Sequence, residues 1–137
     1  MYEKKFIDLA RYRMEKAQEC LTDAQDCLRL GKYSVAANRS YYAIFNAMRA
    51  MLNLEGEDYK RHSGVISEFR KRFLKTGILS PALSDIIRNL FDLRNSSDYD
   101  DFYVVSKGEV EMQTANAVLF TETVRECLMK RIENDTD

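Results

Sequence analysis

SVAANRSYYAIFNAMRAML, residues 34 to 52, decides the fold. The stretch has no glycine or proline, and its apolar residues recur every three or four positions, the period of a helix and not of a strand. It predicts a helix over about 33–54 that closes before Gly56. Val35, Asn38, Arg39, Tyr42, Phe45 and Asn46 share one broad face of that helix. Asn38 and Arg39 therefore interrupt an apolar run at positions that the period would bury.

Outward from this helix the same pattern repeats between glycine stops. Upstream, Phe6, Leu9, Ala10, Arg13, Ala17, Cys20, Leu21, Ala24 and Leu28 predict a helix over about 3–29, ended by Gly31 at a C-cap position. Downstream, SGVISEFRKRFLK predicts a helix over about 63–75 that stops at Gly77. Ser80 and Pro81 then read as an N-cap and a first-position proline, opening a fourth helix with the stripe Leu83, Ile86, Ile87, Leu90 and Leu93. Ser106 and Glu109 form a capping-box pattern ahead of a last helix whose core face includes Val110, Ala117, Phe120, Val124 and Leu128.

No segment alternates long enough to argue for a sheet. The expected fold is a single all-α domain over 1–137, an antiparallel up-and-down bundle with four core helices and one satellite. The acidic tail, about 132–137, is expected to fray.

Composition narrows the function classes. With 45% hydrophobic and 31% charged residues, the chain has the balance of a soluble globular domain. Its net charge of -1 excludes a broad basic footprint for nucleic acid, so any such contact must be local. No run of about 18 apolar residues is present to span a membrane, and the charged N-terminus lacks a signal-peptide core. Three cysteines without a CxxC, Cys20, Cys27 and Cys127, fit free thiols in a reducing cytoplasm, with Cys20 and Cys27 packed as small hydrophobes. A single histidine gives a zinc site no support, and no cofactor is expected.

The candidate site lies in FDLRNSSDYDDFY, residues 91 to 103, read as a polar helix end running into a loop. Arg94 falls four residues beyond Leu90 and seven beyond Ile87, on or beside the core-facing side. A guanidinium there must snorkel to water or find a carboxylate, carbonyl or phosphate. A terminal arginine can also simply cap the last carbonyls of its helix. Two helices that each carry an arginine toward the core, Arg39 and Arg94, predict a polar pocket walled by Tyr41 and Tyr42. Such a pocket suits an anionic or nucleotide ligand better than a metal, because arginine forks match phosphate oxygens. Asp98 either pairs with Arg94 or Arg39, or is a solvated loop acid like Asp100 and Asp101. His62 reads first as a surface or capping residue. The basic stretch around it, YKRHS with EFRKRF, is either a solvated helix face or a patch touching a nucleic-acid backbone.

Taken together, AANRSYYAIFNAMRAML, HSGVISEFRKRFLKTGIL and LFDLRNSSDYDD resemble the HEPN family, in particular its small single-domain bacterial and archaeal branch, over roughly residues 10 to 130. The resemblance implies a bundle of about five helices, pairing as a homodimer with the Arg94 helix near the two-fold axis. It also implies partnership with a small nucleotidyltransferase in a toxin–antitoxin or related module. Many members are metal-independent ribonucleases with an arginine, a polar residue and, several positions on, a histidine. Arg94 and Asn95 match the first two; four intervening residues lead to Tyr99, and no histidine follows residue 62. Attack by a ribose 2′-OH needs a group that moves a proton near neutral pH and another that stabilises the phosphorane. Arg94 suits the second task. Tyr99, with an ordinary pKa near 10, is a poor base for the first, and His62 could replace it only if the fold brings the third helix to the motif.

Three functions follow as expectations. One is a homodimeric nucleotide- or RNA-binding component of a nucleotidyltransferase-partnered module, with Asn38, Arg39, Tyr42, Arg94, Asn95 and Asp98 as binding residues. Another is a ribonuclease toxin using Arg94 with Tyr99 or His62 as catalytic residues. A third is a non-catalytic adaptor whose surface includes Phe91 and Leu93. By extrapolation from the family, Tyr99 is also a candidate for nucleotidylation.

Overall fold

The computed structural model describes residues 1–100 and 103–135. It contains α1 (Lys4–Arg29), α2 (Tyr33–Leu54), α3 (His62–Phe69), α4 (Leu83–Tyr99) and α5 (Lys107–Asp135), with α3 continued by a π-helical turn at Arg70–Leu74. No strand occurs among the described residues. The all-α bundle expected from the periodicity is the fold.

The α1–α2 hairpin is closed by a glycine in the left-handed region. Gly31 has φ +75°, the Lys32 amide donates to the Cys27 carbonyl at 2.8 Å, and the Gly31 amide to Leu28 at 3.2 Å. These two bonds satisfy carbonyls that a helix end would leave open. Gly56, with φ +80°, ends α2 in the same way, the Glu57 amide reaching the Leu52 carbonyl at 3.0 Å.

Helix α2 is the centre of the bundle, with α1, α3, α4 and α5 all packed on it. Ala43, Ala47 and Ala50 are fully buried, and their small side chains let neighbouring backbones approach. Tyr41, Phe69, Phe73 and Phe120 fill the interior. Each aromatic removes roughly 150–250 Å² from water, a hydrophobic gain of about 4–6 kcal/mol apiece at about 25 cal/mol per Å². An ion cluster fastens one end: Arg72 meets Glu55 and Glu68, each at 3.0 Å, and Arg131 of α5 meets Glu55 at 3.3 Å.

Several expectations change. The buried side of α2 is centred on Ala37, Tyr41, Ile44 and Met48, whereas Val35 is exposed and Asn38, Arg39, Tyr42 and Asn46 lie half-buried at its margin. Four neighbours bury this helix over most of its circumference, which shifts the face inferred from period alone. In α1, Met14 is core, Arg13 half-buried and Cys27 only half-buried. Ser80 and Pro81 do not cap α4: they form a turn before it, in which Ser80 Oγ accepts from the Ala82 amide at 3.2 Å, and the helix starts at Leu83 with Ala82 as its N-cap. The polar stretch after Leu93 is helical through Tyr99 and not a loop. Helix α5 runs through Asp135, whose carboxylate accepts from the Tyr2 amide at 2.8 Å. Asp100 is exposed past the end of α4, and Asp101 lies outside the described residues.

Candidate functional site

Arg94 is the hub. It projects from the last two turns of α4 toward α2, with only 13% of its side chain exposed. Its Nη2 donates to the Tyr42 hydroxyl at 2.9 Å and the Tyr99 hydroxyl at 3.3 Å, and its Nη1 to Asn95 Oδ1 at 3.1 Å. The guanidinium carbon lies 5.4 Å from the Tyr41 ring centre and 5.3 Å from those of Tyr42 and Tyr99. Aromatic faces of this kind attract a cation that has lost much of its water.

Asp98 stands one helical turn on, with its Oδ2 3.2 Å from Arg94 Nε. That oxygen accepts from Asn38 Nδ2 at 2.8 Å. Arg94 Nε is buried and meets Asp98 as an ion pair without an aligned hydrogen bond. Asn38 in turn accepts from Arg39 through Nε at 3.0 Å and Nη2 at 2.7 Å. Arg39 lies over the other side of the Tyr42 region, 5.2 Å from that ring centre. Of the two partners expected for Asp98, Arg94 takes the ion pair directly and Arg39 is coupled through Asn38.

The fold carries His62 to the same aromatic cluster. At the start of α3, its Nδ1 lies 3.0 Å from the Tyr41 hydroxyl. Its ring is 4.2 Å from that of Phe45 and 5.7 Å from those of Tyr41 and Tyr42. It is therefore not the free surface residue of the first reading. Burial, helped by the positive charges of Arg94 and Arg49, holds the imidazole below its ordinary pKa. Burial also pushes the Tyr41 phenol well above its ordinary value, with Arg94 opposing and Tyr42 adding to the shift. Near neutral pH the pair is thus a neutral imidazole against a protonated phenol.

A groove of about 430 Å³ opens on His62, lined by Phe45, Arg49, Asp58, Tyr59 and Lys60. Arg49 clamps Asp58 with bonds of 3.1 and 2.7 Å. Burial works against ionisation of Asp58, but the Arg49 bonds and the Tyr59 amide outweigh it and hold the carboxyl below its usual range. The sequence reading missed Arg49 and Asp58. Arg49 lies seven residues beyond Tyr42 on the α2 helix, a spacing that keeps it on one face; Asp58 sits in a connection with no periodic signal.

Tyr99, at 68% exposure, reaches Arg94 but stands at the outer rim. Leu93 is buried at 4% against Ala36, Ala37, Val105 and Val110, so it cannot form part of an adaptor surface, while Phe91 remains half-buried. Among the described residues, no group of three or more His, Cys, Asp or Glu side chains is placed to hold a metal ion. Among the same residues, no helix is long and apolar enough to cross a membrane.

Comparison with known proteins matches this arrangement of helices and residues to one family. The profile of the HEPN domain matches residues 10–131. A "UPF0332 protein" of Thermotoga maritima is 30% identical over 128 residues, covering 93% of this chain and 96% of its own. "Putative toxin MJ0142" of Methanocaldococcus jannaschii is 29% identical over 118 residues, covering 86% of this chain and 80% of its own. In fold, the crystal structure of TT1696 from Thermus thermophilus superposes with a TM-score of 0.73 at 21% identity, over 86% of this chain and 97% of that one. The chain belongs to the HEPN domain family.

Proposed function

We propose that this HEPN protein binds RNA or nucleotide phosphates at the Arg94 cluster, as a homodimeric component of a toxin–antitoxin-like module with a nucleotidyltransferase partner. The observation that carries the binding reading is the Arg94 guanidinium: nearly buried, framed by three tyrosines, and paired to a carboxylate as it would be to a phosphate. A phosphate would take the place of the Asp98 carboxylate on this guanidinium, because arginine forks match phosphate oxygens. The module and the dimer are what the resemblance to the family implies, and the name "Putative toxin" of the M. jannaschii relative supports the toxin part of that reading.

A second reading has support from His62. Lowered toward the neutral form and bonded to Tyr41, whose ring also lies against Arg94, it would move a proton while the arginine stabilises charge, as a ribonuclease requires. The adaptor reading draws on the Arg94–Asp98 ion pair, which fills the site without a ligand.

The test is a metal-free assay of RNA binding and cleavage with wild type, Arg94→Ala and His62→Ala, alongside light scattering for mass. Binding lost in Arg94→Ala with cleavage absent throughout supports the binding component. Cleavage lost in both variants makes the protein a ribonuclease. A monomer whose RNA and nucleotide binding survives Arg94→Ala would sink the proposal.

A further inference from the structure

A second groove, of about 370 Å³, runs between α3 and α4 on the other side of His62. Ile66, Ile87 and Phe91 supply its apolar lining, and Arg70, Lys75 and Arg88 its charge, with the Ser63 and Ser67 hydroxyls between. Two contacts tie its walls to the Arg94 cluster. Ser63 follows His62 in the chain, and the Phe91 ring meets Tyr41 edge-on at 5.9 Å.

The charge here is built by the π-helical turn. Ser63, Ile66, Ser67 and Arg70 lie at the 3–4 spacing that puts side chains on one face of α3. In an uninterrupted α-helix Lys75, five residues beyond Arg70, would be rotated by roughly 140° away from it. Instead the Lys75 amide bonds to the Arg70 carbonyl at 2.9 Å, a bond that spans five residues and brings both cations to the groove. Arg70 is held from behind: its Nε donates to Ser84 Oγ at 3.0 Å and its Nη2 to the Ser84 carbonyl at 3.2 Å. Neither Arg70 nor Lys75 has an ion-pair partner among the described residues, whereas Arg72, beside them in the same turn, is fully committed to Glu55, Glu57 and Glu68. Arg88 shares its charge with Asp85 at 3.0 Å. Unpaired cations over an apolar floor, in a chain of net charge -1, mark a local site for a polyanion that also presents flat apolar faces.

We infer that the α3–α4 groove holds the neighbouring nucleotides of a single-stranded RNA whose bound phosphate sits at Arg94. Arg70 and Lys75 take the backbone phosphates, and Phe91 offers a face to a base. This inference rests on the binding proposed above and extends it from one phosphate to a strand.

The experiment measures affinity for a fluorescent diribonucleotide and an eight-nucleotide single strand over a range of salt. The proteins are wild type, Lys75→Ala, Lys75→Ala with Arg88→Ala, and Arg94→Ala. Lys75 and Arg88 are exposed, so these variants leave the core intact. The expected result is that Lys75→Ala weakens the eight-mer about fivefold and lowers its salt slope by about 0.7, the share of one single-strand phosphate. The dinucleotide keeps its affinity, and Arg94→Ala loses both ligands. If the groove variants bind the eight-mer like wild type while Arg94→Ala does not, the groove assignment falls and the Arg94 site stands. If Arg94→Ala binds both ligands normally, or wild type binds neither, both fall. Displacement of the eight-mer by poly-glutamate at equal charge concentration would reassign the groove to an acidic polypeptide and overturn the inference.

Discussion

The Tyr41 hydroxyl and His62 Nδ1, 21 positions apart in the chain, meet at 3.0 Å in the half-buried seam between α2 and α3. This contact anchors the chain's only histidine beside Arg94, and it makes folding sensitive to pH. Because His62 is held below its ordinary value near 6.5, the unfolded chain takes up that proton first as the pH falls. Its contribution is therefore complete above about pH 6.5 and is lost as pH drops toward the lowered value. Melting temperatures of wild type and His62→Gln, taken from pH 8 to 5, should run parallel above neutrality, with wild type falling more steeply below it. Parallel curves throughout would show that this imidazole is not perturbed.

Tyr42→Phe removes the hydroxyl that accepts from Arg94 Nη2 at 2.9 Å and keeps the ring. Hydrogen bonds to charged groups contribute about 1.5–3 kcal/mol, and the loss here should lie near the lower figure because Tyr99 and Asn95 still accept. Urea unfolding should show a lower midpoint with an unchanged slope. RNA affinity should fall as the guanidinium loses its fixed orientation.

Ser40 and Thr114 form a buried hydroxyl pair at 2.9 Å that joins α2 to α5. Ser40→Ala should cost about 1–3 kcal/mol, since it strands the Thr114 hydroxyl. Thr114→Val should behave likewise, and the double variant should recover part of the sum. A double-mutant cycle by calorimetry measures this; strict additivity would mean the two hydroxyls do not interact.

Gly56 and Gly77 both have positive φ, +80° and +79°. Alanine in that region costs about 1–2 kcal/mol at either site. At Gly56 the new Cβ would also stand 3.0 Å from the Phe6 ring, while at Gly77 nothing lies within 4 Å. Gly56→Ala should therefore be the more destabilising in thermal melts, and the reverse order would contradict the contact with Phe6.

The bounds of α2 were legible because its period is long and Gly56 stops it; the observed Tyr33–Leu54 matches. The extension of α4 through Ser96, Ser97 and Asp98 was not. Those residues favour caps and turns by their own propensity, and the helix persists because Asp98 pairs back to Arg94 and across to Asn38. Arg94, Asn38 and Asp98 could be nominated from period and residue type. The arrival of His62 could not, since it depends on how the connection after α2 folds back, with Gly64 against Tyr59 where a Cβ would meet the Tyr59 side chain at 3.2 Å. The π-helical turn also left no mark in the sequence, because residues 70–74 suit either helix type.

That turn has an evolutionary reading. A π-helical turn is an α-helix with one residue too many, so Arg70–Leu74 behaves as a one-letter insertion absorbed without breaking the rod. Removing one letter there, such as exposed Lys71, would restore an ordinary helix and keep the later positions in phase, so Phe73 and Leu74 would stay on the core. A deletion in the regular part of α3 has no such slack: it would turn every following residue by about 100° and rewrite the surface facing α4.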